Sequence, residues 1–396
     1  MAVVTIARLG QRGDGVAEHE GRRVYVPFTL PGERVEIAID GERGTLASVL
    51  EPSPDRIAPF CPHFSQCGGC QLQHLARPSY EAFKRGLVES ALSHVGIAVP
   101  PGPLIDARGN GRRRTTLHAR KAGAGFMRPR SHDVLDIDLC PILVPVLAKA
   151  PAIARAIHAV IGDCDVSFCA TATGIDAAIH TEKRARGDKL TPLAQRLALA
   201  RMTLNGDLIL QTRAPLVRIG KAEVELPAGS FLQATEAAEI ALSGLVVSAL
   251  KGQKNIADLF CGIGPFALRL AENARVFAAD SDRPAVAALA RAVRNTQGLK
   301  PVITSARDLF REPLTRHELA SYDAIVFDPP RAGAEAQARE LALANLKIIV
   351  AVSCDATTFA RDAAILLAGG YRLESVTPVD QFAFSTHVEV VGVFRR

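Results

Sequence analysis

Short bursts of alternating apolar and polar positions fill the first 55 residues. Val24, Val26 and Phe28 are followed by Val35, Ile37 and Ile39, separated by the turn-forming stretches GDG, PGE and DGERG. Alternation at period two predicts strands with one buried face, here a small β-barrel. Over 78–96 the apolar positions recur at helical spacing, and PPGPL at 100–104 ends that helix. Between about 105 and 225 strands and loops mix with one or two helices, and the pattern alone sets no topology. From about 228 the rhythm changes again. A helix over about 234–250 precedes the strand NIADLF, the glycine turn CGIGPF, a helix, the strand RVFAAD and a helix from Arg283 to Gln297. PVITSA, YDAIVF running into DPPRAGA, an Ala-rich helix, KIIVAVSC, another helix and two closing strands around YRLESV and HVEVVGVF complete the chain.

Strands alternating with helices of this length predict an α/β fold with a parallel, doubly wound sheet, in which ligands bind beyond the C-terminal ends of the strands. The expected domains are 1–55, 56–227 and 228–396. A chain of 396 residues that is 48% hydrophobic can build such cores, which argues against disorder. No apolar run approaches bilayer length, and MAVVTIARLGQRGDG reads as a strand entering a turn, without the pattern of a signal peptide. The expected location is cytoplasmic, with no membrane partner. In a reducing compartment a tight cysteine cluster points to metal binding before disulfides, and CPHFSQCGGC holds Cys61, Cys67 and Cys70 within ten positions.

The formal net charge of +6 says only that an acidic partner is possible. Its distribution says more. Arg112, Arg113, Arg114, Arg120, Lys121, Arg128 and Arg130 lie in one stretch that has no acidic residue, as a solvated strand face or a phosphate-binding surface would. The barrel segment has mixed charge and gives no such argument.

Gly262 and Gly264 follow the strand NIADLF and precede a helix, which alone could be an ordinary turn. The second strand ends in Asp280, placed to hydrogen-bond a ribose diol. With no GK[ST] phosphate loop and an incomplete GxGxxG, S-adenosylmethionine fits better than ATP or a dinucleotide. Asp308 and Asp328, after the third and fourth strands, extend an acidic rim that suits a cationic sulfonium. For Asp308 a local helix cap is the competing reading. Cys354 ends KIIVAVSC and begins a helix, where the helix dipole is expected to lower a thiol's pKa. Glu389 is acidic within an otherwise apolar strand, where burial raises a carboxylate's pKa. A cysteine nucleophile, a carboxylate base and a sulfonium together describe methylation of a pyrimidine carbon: Cys354 adds to carbon 6, carbon 5 attacks the methyl group, and Glu389 removes the carbon 5 proton. The base must be unstacked for this, so a basic surface that holds the flanking strand is expected.

These residues resemble the RNA 5-methyluridine methyltransferases, in particular the 23S ribosomal RNA branch that carries an iron–sulfur cluster. The resemblance runs through CPHFSQCGGCQLQH, RRRTTLHAR with SHDVLDIDLCPIL, GSFLQAT, DLFCGIG, FDPPRAGA, VSCDATTFARD and THVEVVGVF. It implies an N-terminal TRAM barrel, a central α+β domain with a [4Fe-4S] cluster and RNA-binding arginines Arg112, Arg113, Arg114 and Arg130, and a C-terminal Rossmann-like class I methyltransferase domain. It also implies Cys354 as nucleophile, Glu389 as base, and Gln233, Phe260, Gly262, Gly264, Asp280, Asp308 and Asp328 at the S-adenosylmethionine site. The fourth cluster ligand would be Cys140. Four cysteines alone fit zinc or an iron–sulfur cluster; their spacing resembles the family's [4Fe-4S] pattern. Cys164, Cys169 and Cys261 read as small apolar fillers. Pro265 departs from the family's usual Asn or Thr, which puts a cofactor contact there in doubt. The expected enzyme is a monomer acting on 23S ribosomal RNA. The alternatives are uridine methylation in transfer RNA and an inactive RNA-binding protein with a structural metal cluster.

Overall fold

Alternate positions in the first 51 residues turn inward. In the computed structural model, which describes residues 1–183 and 186–396, the strands Ala2–Leu9, Gly15–His19, Arg22–Val26, Arg34–Asp40 and Arg43–Glu51 close into a barrel. Val4, Ile6, Val24, Val26, Val35 and Ile37 fill it. Full closure leaves no open sheet edge.

The middle of the chain forms a seven-stranded sheet in the order Asp207–Gln211, Arg201–Leu204, Gly174–His180, Cys164–Thr171, Arg114–Arg120, Gly123–Met127, Val134–Asp136. Leu117, Val166 and Phe168 alternate onto one face and pack with Ile153 and Ile157 of the helix Ala150–Ile161. The polar positions between them, such as Thr116, His118 and Ser167, occupy the other face, as period-two alternation requires.

An eight-stranded sheet dominates the C-terminal part. Its order is Val302–Ala306, Arg275–Asp280, Asn255–Leu259, Ala324–Phe327, Ile348–Ser353, Glu389–Arg395, Arg372–Asp380 and the short edge strand Ile105–Asp106. The first five are mutually parallel, and Glu389–Arg395 runs antiparallel between its neighbours. This is the expected α/β architecture, and the strands buried on both faces read as apolar runs. The order reverses between Asn255–Leu259 and Ala324–Phe327, so a crevice opens beyond those two strand ends.

Packing does not follow the boundaries expected at 56 and 228. Val88 and Leu92 of the helix Arg77–His94 share a core with Leu366 and Phe394 of the large sheet layer. The hairpin Leu216–Ile219/Ala222–Glu225 buries Val217, Ile219 and Val224 against the helix Arg283–Asn295. Both segments lie outside 228–396 in sequence but complete its core, because the sheet's two helical layers each need an outer cover. Lys84 is fully buried and anchors the first of them: its Nζ donates to Asp380 Oδ1 at 2.9 Å and to the carbonyl of His387, while Tyr80 Oη donates to Asp380 Oδ2 at 2.5 Å. Among the described residues no helix is long and apolar enough to cross a membrane.

Candidate active site

The crevice floor begins at the glycine turn. Gly262 has φ 52° and a Cβ built there would meet nothing within 4 Å, so the turn presents bare backbone to open space. Gly264 differs: with φ 88°, its missing Cβ would stand 2.5 Å from Leu289, so it permits close helix packing. Asp280, closing the next strand, braces the turn by accepting from the Gly262 N–H at 2.8 Å, and its other oxygen accepts from the Asp282 N–H at 2.8 Å. Phe260 is itself at φ 61° and packs on Phe310 with centroids 5.4 Å apart. Pro265 takes the first turn of the helix Pro265–Leu270, where its missing N–H costs the helix nothing. Asp308 Oδ1 accepts from the N–H groups of Phe310 and Arg311, so its carboxylate caps its own turn, the alternative that its spacing left open.

The antiparallel register places Ser353 opposite Val390, which sets Cys354 and Glu389 side by side one residue beyond the ladder. Glu389 is buried, with Oε1 accepting from Gln381 Nε2 at 2.6 Å and Oε2 without any partner. The same Gln381 nitrogen reaches Gln233 Oε1 at 2.7 Å, and Gln233 Nε2 donates to Asp328 Oδ2 at 3.2 Å. Asp328 stands at the end of the neighbouring strand Ala324–Phe327, tied by its N–H to the Leu259 carbonyl. Burial raises the carboxyls of both Glu389 and Asp328, with the charge of Asp328 adding to the rise at Glu389 and that of Asp280 to the rise at Asp328. Gln381 was not legible as part of this group. A lone glutamine directly after a strand end carries no spacing signal.

Cys354 corrects one expectation. Its thiol is pushed up to about 12, first by burial and then by the charges of Glu389 and Asp328, with Arg331 opposing them. The helix that follows does not compensate, because Asp355 is its N-cap and accepts from the Thr357 and Thr358 N–H groups. The dipole's free donors are already satisfied before they reach the sulfur.

The basic segment also divides. Arg113 is buried, donating to the Gln233 carbonyl at 3.1 Å and pairing with Glu239 at 3.3 Å, so the expectation that it faces RNA is corrected: it props the loop bearing Gln233. Arg114 lies over the exposed ring of Phe231 at 4.5 Å, beside Glu389. Arg112 lies over Phe382 at 5.8 Å, and Nε of both Arg112 and Arg114 has no partner. Arg130 pairs with Asp14 of the barrel at 2.6 Å and is otherwise exposed. Arg331 and His387, in contact at 3.2 Å, were not singled out by spacing but flank the same cleft.

Cys61, Cys67, Cys70 and Cys140 line one pocket, otherwise walled largely by apolar groups such as Phe64, Phe126, Ile137 and Ile142. All four are free thiols. Burial, with repulsion among them, pushes Cys70 up to about 11 and Cys140 to about 12. Among the described residues no three His, Cys, Asp or Glu side chains stand close enough to share one metal ion. Four thiols around one largely apolar pocket are a donor set that suits zinc or an iron–sulfur cluster alike. Cys164 and Cys261 are buried in their cores, as small fillers are.

Comparison with known proteins gives these positions a context. Residues 193–396 match the family model described as tRNA (Uracil-5-)-methyltransferase, and residues 3–44 match the TRAM domain. An uncharacterized RNA methyltransferase of Brucella suis biovar 1 is 45% identical over 99% of this chain and 97% of its own. The 23S rRNA (uracil(1939)-C(5))-methyltransferase RlmD of Pectobacterium atrosepticum is 30% identical, covering 99% of this chain and 93% of its own. In fold, the chain is similar to the Pyrococcus abyssi tRNA (uracil-54, C5)-methyltransferase, solved with S-adenosyl-L-homocysteine, at a TM-score of 0.78 and 23% identity over 99% of both chains.

Proposed function

The chain belongs to the tRNA (uracil-5-)-methyltransferase family and is an S-adenosylmethionine-dependent RNA uracil-5 methyltransferase; on that premise we propose that it methylates carbon 5 of a uridine in 23S ribosomal RNA by covalent catalysis. The observation that carries the mechanism is the pairing of Cys354 with Glu389 at adjacent strand ends, with Glu389 Oε2 buried and unpartnered. The choice of ribosomal RNA rests on the full-length likeness to RlmD.

When bound, S-adenosylmethionine supplies the methyl group and a positive charge beside the carboxylates. Asp280 braces the Gly262 turn and keeps lone pairs free for a ribose diol; Gln233, Phe260 and Asp328 form the rest of the cofactor's surround, joined by Asp308 only through the oxygen that caps no N–H and by Gly264 only through its backbone. The Cys354 thiolate adds to carbon 6 of the unstacked uracil, which makes carbon 5 nucleophilic. After methyl transfer, Glu389 takes the carbon 5 proton, the C6–S bond breaks with its electron pair returning to sulfur, and the ring double bond re-forms. Arg112, Arg114 and Arg130 surround the approach as phosphate contacts, and Phe231 offers a stacking face. Cys61, Cys67, Cys70 and Cys140 would hold a [4Fe-4S] cluster, and with four ligands from the protein it would serve structure, not redox chemistry.

The test uses 23S ribosomal RNA containing 5-fluorouridine. A protein–RNA adduct that forms with S-adenosylmethionine and is lost in Cys354→Ala supports the mechanism; an adduct retained in that variant refutes it. Equal turnover of transfer RNA transcripts would remove the substrate assignment. Anaerobically purified protein should contain iron and sulfide, and stoichiometric zinc without sulfide would reverse the metal assignment.

A further inference from the structure

The side-chain amide of Gln381 lies between the cofactor side of the crevice and the carboxylate of Glu389, and its orientation can be fixed. The Ala234 backbone N–H, which can only donate, meets Gln381 Oε1 at 2.7 Å, so the amide nitrogen faces the other way. Both of its protons are committed, one to Gln233 Oε1 at 2.7 Å and one to Glu389 Oε1 at 2.6 Å. Gln233 is thereby oriented in turn, with its nitrogen on Asp328 Oδ2 at 3.2 Å. One backbone amide sets the polarity of a chain running through four side chains. Glu389 Oε1 is held by a donor, and Oε2 is buried and empty-handed.

We propose that Gln381 is a positioning residue for the proton-transfer step: it occupies Oε1 of Glu389, reserves Oε2 for the proton leaving carbon 5, and ties the base's orientation to Gln233 and Asp328. The inference rests on the reading of Glu389 as the base. In the step itself the C5–H bond breaks, its electron pair becomes the C5=C6 double bond as the C6–S pair returns to Cys354, and the proton ends on Oε2. The oxygen that already accepts a hydrogen bond is the poorer place for that proton, because the acid form accepts best through its carbonyl-type oxygen. Among the charged groups around Glu389, Asp328 opposes its ionisation and Arg114 and Arg331 favour it, as does the Gln381 hydrogen bond; Cys354 is the titratable neighbour across the cleft. Removing the amide frees the carboxyl to turn and makes it harder to ionise.

Gln381→Leu in the full-length protein, assayed with S-adenosylmethionine and 23S ribosomal RNA, tests this. Turnover should fall about tenfold or more while KM for RNA stays within about twofold. The rising limb of kcat against pH should move to higher pH, and a methylated, SDS-stable protein–RNA adduct should accumulate, because the step after methyl transfer is the one slowed. Gln381→Glu keeps the volume but replaces the donor with an acceptor, and should trap the same adduct at neutral pH; it decides the matter if the leucine variant does not fold. Glu389→Gln is the reference. If it traps the adduct while neither Gln381 variant does, or if kcat falls with no movement of the pH limb, Gln381 is only packing and the proposal is overturned. If Glu389→Gln traps nothing and turns over, Glu389 is not the base, and the underlying reading fails instead.

Discussion

The catalytic crevice and the cysteine pocket each crowd groups that repel one another when ionised, but they are built differently. In the crevice the crowding is imposed by a sheet: the Ser353–Val390 register and the Asp328 N–H bond to Leu259 place Cys354, Glu389 and Asp328 whether or not anything is bound. In the cysteine pocket the groups sit on loops held by turn and loop hydrogen bonds, such as the Gly68 N–H to the Met127 carbonyl at 3.0 Å and the Cys61 N–H to Gln73 Oε1 at 3.2 Å, and by no sheet ladder of their own. A sheet can store unfavourable charge because its ladder and apolar core meet the cost elsewhere. A loop has less of such a reserve, so a group bound by these four thiols would contribute more to the stability of its surroundings.

The sharpest test of this contrast sets Cys354→Ala against Cys70→Ser. The first should reduce methylation by about 10⁴-fold or more while changing stability by less than about 1 kcal/mol in urea denaturation. The second should lose iron and lower the unfolding midpoint markedly; unchanged stability after iron loss would break the contrast. Next, Lys84→Met strands the buried carboxylate of Asp380, and should cost about 3–5 kcal/mol by the same measurement, the penalty for unpairing one partner of a buried ion pair.

A smaller effect follows from His74, buried at the seam between the barrel and the cysteine loop with both ring nitrogens unpartnered. Burial, helped by nearby Arg56, lowers its pKa to about 4. Below its ordinary value near 6.5 the unfolded chain takes up a proton that the native protein refuses. Stability is therefore full above that pH and falls as pH drops towards 4, by roughly 2–3 kcal/mol, and His74→Gln should flatten this slope in denaturation curves. The smallest effect is kinetic. With its thiol near 12, Cys354 in the substrate-free protein should react with iodoacetamide about tenfold faster for each unit of pH between 8 and 10, with no plateau. Levelling off near pH 9 would show an ordinary, unburdened thiol instead.

Much of this arrangement was legible in the sequence because strand ends announce themselves: DLFCGIG, DPPR, VSC and the lone Glu389 each mark a C-terminal edge or its antiparallel counterpart. What was not legible is which residues face one another across long separations. Gln381 meets Gln233 across 148 positions, and Lys84 meets Asp380 across 296. Arg113 reads like its neighbours Arg112 and Arg114, yet the bend just before the strand Arg114–Arg120 turns it inward towards Glu239. The raised pKa of the Cys354 thiol is hidden for a related reason: position before a helix is visible in sequence, but the N-cap's prior claim on the helix donors and the two carboxylates opposite are not.

The helix Arg77–His94 also fixes an order of events during synthesis. Its partner Asp380 leaves the ribosome 296 residues after Lys84, which at about 5–20 residues per second is roughly 15 to 60 seconds later. Throughout that interval the helix must wait with Val88 and Leu92 uncovered, beside a barrel that can already be closed. The core that Val88 and Leu92 share with Leu366 and Phe394 can therefore close only once the last strand has been made.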